Sequence, residues 1–275
     1  MNRSAMLLVC SHFLLLPGCE TVPETGRRQL TLFPEEQMTT MGLQAYEEAC
    51  KEYRVITGTP EAEMVQRVGR KIAAASGRDF DWEFRLLDAP EVVNAFCLPG
   101  GKVAVYSGLL PVVEDEHGLA VVLGHEVAHA TSKHGNERVS QGTFAEAGLS
   151  LVGAGLSLAD LQPAAMEGIM TALNAGTKFG VLMPYSRKHE SEADEIGLLF
   201  LIRAGYDPEA APRVWERMAA LGGGGPPEFL STHPSPGNRA QRLRELIPIM
   251  KERVAKEGGP VPQPGGEKRV ELPKR

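Results

Sequence analysis

The chain changes its hydrophobic period twice. From Pro34, PEEQMTTMGLQAYEEACKEY sets apolar residues three and four apart, with proline first and acids in the opening turn, which predicts a helix. Pro60 to Ala75 predicts a second, closed by Gly77. The period then drops to two. DWEFRLLDA (81–89) and KVAVYS (102–107) alternate apolar and polar positions, and VVNAFCL (92–98) is a short apolar run. PGG (99–101) separates the last two, so a small antiparallel sheet with a hairpin is expected. After Ser107 helical spacing returns, interrupted only by GGGGPP (222–227). The fold class read from this order is α+β, mainly helical.

Two stretches fall outside the pattern. AGLSLVGAGLSLA (147–159) is uncharged, but its 13 residues include three glycines. A bilayer span needs about 20 residues, so a buried helix or cleft wall is expected there. From Glu257 proline, glycine and charge dominate, which predicts a disordered tail over 257–275.

The N-terminus suggests an address. MNRSAMLLVCSHFLLL (1–16) carries Arg3 and then an apolar run too short to span, as in the h-region of a secretory signal. LPGC (16–19) resembles the bacterial lipobox, in which Cys19 would be acylated and become the new N-terminus. On that reading 1–18 is a lipoprotein signal, 19–33 a polar tether and 34–256 the folded domain. Glu20 follows the cysteine in place of the aspartate associated with inner-membrane retention, so the outer membrane, facing the periplasm, is expected. A plain cleaved signal and an uncleaved anchor are the alternatives. Cys50 and Cys97 would remain, either paired in an oxidising compartment or unpaired as small apolar residues.

Composition adds limits. The 275 residues are 43 % hydrophobic, enough for a real core. The 29 basic and 35 acidic residues give a net charge of −6 with no basic stripe interleaved with aromatics, which argues against nucleic acid as a partner.

The chemistry sits in EDEHGLAVVLGHEVAHATSKHG (114–135), a predicted helix with acids first and Gly135 as the expected stop. HEVAH places His125 and His129 about 40° apart on one helical face, so both can offer a nitrogen to one ion. Glu126 stands beside them, able to hold a water without ligating the metal. A catalytic zinc takes a third protein ligand and keeps an open place. His134, about 140° round from His129, is off that face and is expected exposed or in a second-sphere contact. YSRKHESEADEIGLLFLIRAGY (185–206) is the better source. Among its four acids only Glu190 has another four residues on, Asp194, while Glu192 points about 160° away from both. Glu190 can close the zinc shell, and Asp194 can accept the other ring N–H of a ligand histidine.

HEVAH, SRKHESEAD (186–194) and STHPSPGNR (231–239) resemble, in order, the three signatures of the HtpX, Ste-type CAAX protease and mitochondrial Oma-type zinc metallopeptidases. NAFCLPGGKVAVYSGLL (94–110) resembles the strand and turn before their metal helix. The resemblance runs from about Arg28 to Ile249 and points to the lipid-anchored bacterial branch typified by LoiP. It implies a zincin-like fold with one Zn2+ per chain, held by His125, His129 and Glu190. Glu126 would be the catalytic base and Asp194 the support behind a ligand. His233 would hydrogen-bond the developing oxyanion, and Arg239 would hold its segment by ion pairing. Substrates would be polypeptides, unfolded or outer-membrane proteins, lying as an added strand along Val103–Tyr106 or along VVNAF (92–96). A lipid-anchored chaperone or assembly adaptor with latent or no proteolysis is the alternative. A purely structural zinc site is disfavoured by the lack of cysteine ligands.

Overall fold

The computed structural model describes residues 19–143, 185–221, 228–234 and 237–259. The expectations for the signal 1–18, the segment 147–159, the loop 222–227 and the tail beyond 259 lie outside these residues. Two short strands, β1 (Cys19–Thr21) and β2 (Arg28–Leu30), precede α1 (Glu35–Glu52), β3 (Val55–Ile56) and α2 (Pro60–Ser76). β4 (Glu83–Leu87), β5 (Ala95–Leu98) and β6 (Lys102–Tyr106) follow, then α3 (Leu110–Val113) and α4 (Glu116–Thr131). Residues 134–143 are again helical. α5 (Arg187–Arg203), α6 (Ala210–Ala220), α7 (Glu228–Thr232) and α8 (Arg239–Lys256) complete the described chain.

The first long helices start and stop where sequence predicts. Thr59 caps α2 by accepting from the Ala62 N–H, Pro60 takes the first turn, and Gly77 ends the helix at φ 67°. The β5–β6 hairpin also forms, with Gly100 and Gly101 of PGG at φ 84° and 86°.

The sheet departs from expectation in one pairing. Its order is β3-β4-β6-β5, antiparallel at both flanks but parallel between β4 and β6, with Phe84 opposite Val103 and Leu86 opposite Val105. Alternation fixes which face of a strand is buried, not which strand lies beside it. Here the 88–94 connection carries β5 to the sheet edge, and β6 turns back into the gap beside β4. Both edges of β6 are therefore used. The Val103–Tyr106 stretch cannot accept an added strand, whereas among the described residues no strand pairs with the outer edge of β5, which overlaps VVNAF.

Each sheet face meets a different partner. Phe84, Leu86, Val103 and Val105 pack with α2 and α4 in the main core. Leu87, Phe96, Ala104 and Tyr106 face Tyr46 and Ala49 of α1. α4 is the centre of the molecule: every residue from Gly118 to Thr131 is buried, so it reads as apolar all round. It packs on α2 and β5 on one side and on α5 on the other.

The stretch expected as a free tether is folded. Val22 is wholly buried, and Gln29 and Thr31 are nearly so. The Leu32 N–H donates to Ser140 Oγ (2.8 Å), Asn136 Nδ2 donates to the Phe33 carbonyl (2.7 Å), and Lys133 pairs with Glu20 and Glu35. A polar segment reads as solvated when its partners lie 100 residues away; here those partners are residues 133–140, directly after α4. Cys50 and Cys97 are both free. Among the described residues no helix is long and apolar enough to cross a membrane.

Candidate metal centre

Three helices converge on one point. Asp115 starts α4 by accepting from the Gly118 N–H (2.9 Å), which sets His125, Glu126 and His129 in the buried middle and last turns. Ser186 starts α5 in the same way, accepting from the His189 N–H (3.2 Å), and α5 then presents Glu190 and Asp194. His233 follows α7, its N–H donating to the Phe229 carbonyl (2.8 Å).

His125 Nε2 and His129 Nε2 lie 3.0 Å apart. Glu190 sets Oε2 3.2 Å from the first and Oε1 3.3 Å from the second. His233 Nδ1 is 3.1 Å from Glu190 Oε1 and 3.3 Å from His125 Nε2. One ligand atom from each of these four buried residues falls within 4.8 Å of the others. Donors at about 2.0–2.2 Å from a tetrahedral ion stand roughly 3.3–3.6 Å apart, so the cluster has the dimensions of a metal site. Glu190 Oε2 is buried without a hydrogen-bond partner, as a ligand oxygen would be. Burial acts to raise the Glu190 carboxyl, but the facing His233 and His125 outweigh it and hold it well below the usual range.

Asp194 lies behind His125, Oδ1 3.2 Å from its Nδ1. Arg239 donates from Nε to Asp194 Oδ1 (2.9 Å) and pairs with it again through Nη2, and Arg242 Nη2 reaches Oδ2 (2.8 Å). The Arg239 guanidinium lies on the Trp215 ring, 3.3 Å from its centroid, and Trp215 packs edge-on to His125 at 5.4 Å.

Glu126 stands at the mouth of the β5 edge. Its Oε1 is buried without a partner, and His233 Nε2 is 3.5 Å away. Burial pushes the Glu126 carboxyl up, against the pull of His233 and His125. That is the direction wanted in a group that must take a proton and give it back.

The structure places His134 differently from a continuous helix. α4 ends at Thr131, not at Gly135, because Lys133 takes a left-handed turn at φ 54°. The chain folds back, and His134 is wholly buried with Nδ1 2.9 Å from His129 Nδ1. Of the exposed and second-sphere alternatives, it takes the second. Tyr185, stacked on His129 at 3.9 Å, and Trp215 gave no signal in the sequence, since an aromatic at helical spacing reads as core. Arg242, three residues after Arg239, was legible only as a neighbour on the same helix.

The model of Peptidase family M48 matches residues 60–247. Mitochondrial metalloendopeptidase OMA1 of Schizosaccharomyces pombe is 38 % identical over 235 residues, covering 83 % of this chain and 66 % of the relative. Metalloendopeptidase OMA1 of Bos taurus is 34 % identical over 265 residues, covering 90 % and 49 %. The beta-barrel assembly-enhancing protease of Escherichia coli K12 is 34 % identical over 189 residues, covering 65 % and 38 %. The chain thus spans between about a third and two thirds of the length of these relatives. With a mainly helical fold, a HEVAH helix at its centre and a match across most of the domain, the chain belongs to peptidase family M48.

Proposed function

We propose that this chain is a zinc-dependent endopeptidase of the cell envelope, with one Zn2+ held by His125, His129 and Glu190. The observation that carries the reading is the convergence of these three donors beside a buried carboxylate, Glu126, that keeps one oxygen free. When bound, the ion supplies Lewis acidity to the scissile carbonyl and to water. Glu126 takes the proton from that water and passes it to the leaving amine. Asp194, gripped by Arg239 and Arg242, keeps the His125 ring turned toward the cluster. The substrate backbone adds to the outer edge of β5, the edge strand among the described residues, against which the helix carrying Glu126 packs.

His233 has two roles open to it. With its ring turned away from the cluster it would donate to the oxyanion. In the arrangement seen, its Nδ1 joins the ligand cluster, which favours a resting form whose fourth position is filled. That second reading would make proteolysis latent, and it favours an adaptor-like role.

The address rests on LPGC: Cys19 would carry the lipid, with the domain facing the periplasm from the outer membrane. Unfolded or outer-membrane proteins are the proposed substrates. The name of the Escherichia coli relative supports that class, whereas the OMA1 relatives are named as mitochondrial. Cleavage of casein and of an unfolded outer-membrane protein, with and without 1,10-phenanthroline, tests the reading. Chelator-sensitive cleavage supports it. A zinc-loaded chain that cuts neither, even with His233 replaced by alanine, would leave the adaptor.

A further inference from the structure

The ligand cluster rests on a second buried layer that ends in the N-terminal hairpin. Arg27 closes the β1–β2 turn, its carbonyl accepting from the Val22 N–H (2.8 Å), and its side chain is only 13 % exposed. Its Nε donates to Glu192 Oε2 (2.6 Å). Its two terminal nitrogens donate to both oxygens of Glu137 (2.9 and 2.7 Å), a bidentate pairing. Thr25 also donates to Glu192. One guanidinium thus serves two buried carboxylates from elements 110 and 165 residues away.

Each carboxylate holds a histidine. Glu192 Oε2 faces His134 Nε2 at 2.9 Å, and Glu137 Oε2 faces His189 Nε2 at 3.0 Å. The two rings stack on each other, centroids 4.6 Å apart and planes 21° apart. His134 Nδ1 then meets His129 Nδ1 at 2.9 Å. The proton count along this row has one consistent solution when His129 Nε2 is a ligand nitrogen. His129 carries its proton on Nδ1 and donates it to His134 Nδ1; His134 carries its own on Nε2 and donates it to Glu192. The row needs an ionised acceptor at its end, and an always-charged arginine keeps one there.

We infer that Arg27 is a positioning residue for the metal centre: by clamping Glu192 it fixes, through His134, the tautomer and ring orientation of His129. The inference rests on His129 being a metal ligand. It assigns the N-terminal hairpin, about 100 residues before the HEVAH helix, to the machinery of the site.

Arg27→Met, Arg27→Lys, Glu192→Gln and His134→Phe in the full chain test this. Thermal unfolding of the apo protein reports folding, competition with a chelator reports Zn2+ affinity, and the visible spectrum of the Co2+-loaded protein reports ligand geometry. Arg27→Met should weaken Zn2+ binding roughly 10–100-fold and shift the Co2+ bands, with Arg27→Lys in between. In the His134→Phe background Arg27→Met should add nothing further, because the row is already cut. A folded Arg27→Met with wild-type affinity and spectrum, or additive effects in the two backgrounds, would overturn the inference. If Arg27→Met fails to fold, Glu192→Gln, which keeps the side-chain shape, is held to the same two readouts. A wild-type chain that binds no metal would remove the site itself, whereas normal binding with unchanged variants would remove only the role of Arg27.

Discussion

Gly124 and Gly197 meet backbone to backbone where α4 crosses α5. A Cβ on Gly124 would sit 2.9 Å from the Gly197 carbonyl oxygen, and one on Gly197 would sit 2.9 Å from the backbone nitrogen of His125. Neither obstacle is a flexible side chain, so the helices themselves would have to part. This crossing sets the separation at which Glu190 reaches the histidines. Gly197→Ala should destabilise the fold by about 1–3 kcal/mol and weaken Zn2+ binding. Thermal unfolding and metal competition check it; a variant with wild-type metal affinity would show that the close crossing is not needed for the site.

On the proposed roles, Glu126→Gln removes a base and no ligand. Turnover of a quenched peptide should fall by about 10²–10⁴-fold with the zinc content unchanged by elemental analysis. Loss of metal in this variant would instead make Glu126 a ligand.

His233→Ala distinguishes the two roles of that ring. As an oxyanion donor its loss should cost about 10²-fold or more in turnover at constant zinc content. Higher activity than wild type, measured at saturating substrate, would mark His233 as the group that closes the open position.

Asp194→Ala leaves Arg239 and Arg242 without their shared carboxylate and His125 without its acceptor. A buried pair broken on one side costs about 3–5 kcal/mol, and metal affinity should fall about 10–100-fold. Denaturant unfolding and metal competition together test this, and an effect on stability alone would confine Asp194 to packing.

Acid should loosen the N-terminal hairpin. Burial acts to raise Glu137, but hydrogen bonds from His189 and Arg27 outweigh it and bring it down to about 2. A carboxyl held below its unfolded value stabilises the fold fully above the unfolded pKa and loses that contribution as pH falls through the folded one. Stability measured by urea unfolding should therefore decline between about pH 4.5 and 2, and Glu137→Gln should flatten that decline.

HEVAH was legible because helical geometry alone puts His125 and His129 on one face, and the E-x-x-x-D spacing of Glu190 and Asp194 followed from the same rule. Thr59, Pro60 and Gly77 announced α2 because caps are local. Helix, hairpin and the E-x-x-x-D pair were all decided within four residues of chain.

What the tertiary structure decided was pairing at a distance. Alternation could not say that β6 would slip between β4 and β5, since a strand shows its neighbours only through backbone hydrogen bonds that every residue can make. Polarity could not show that Glu20 to Phe33 would dock on residues 133–140, because a charged group looks solvated until its partner is placed. His134 left the predicted helix through one left-handed residue, Lys133, and became a contact of His129. Local spacing determined which side chains could share an ion; only long-range packing, through Gly124 against Gly197 and Arg27 against two buried acids, brought them to one point.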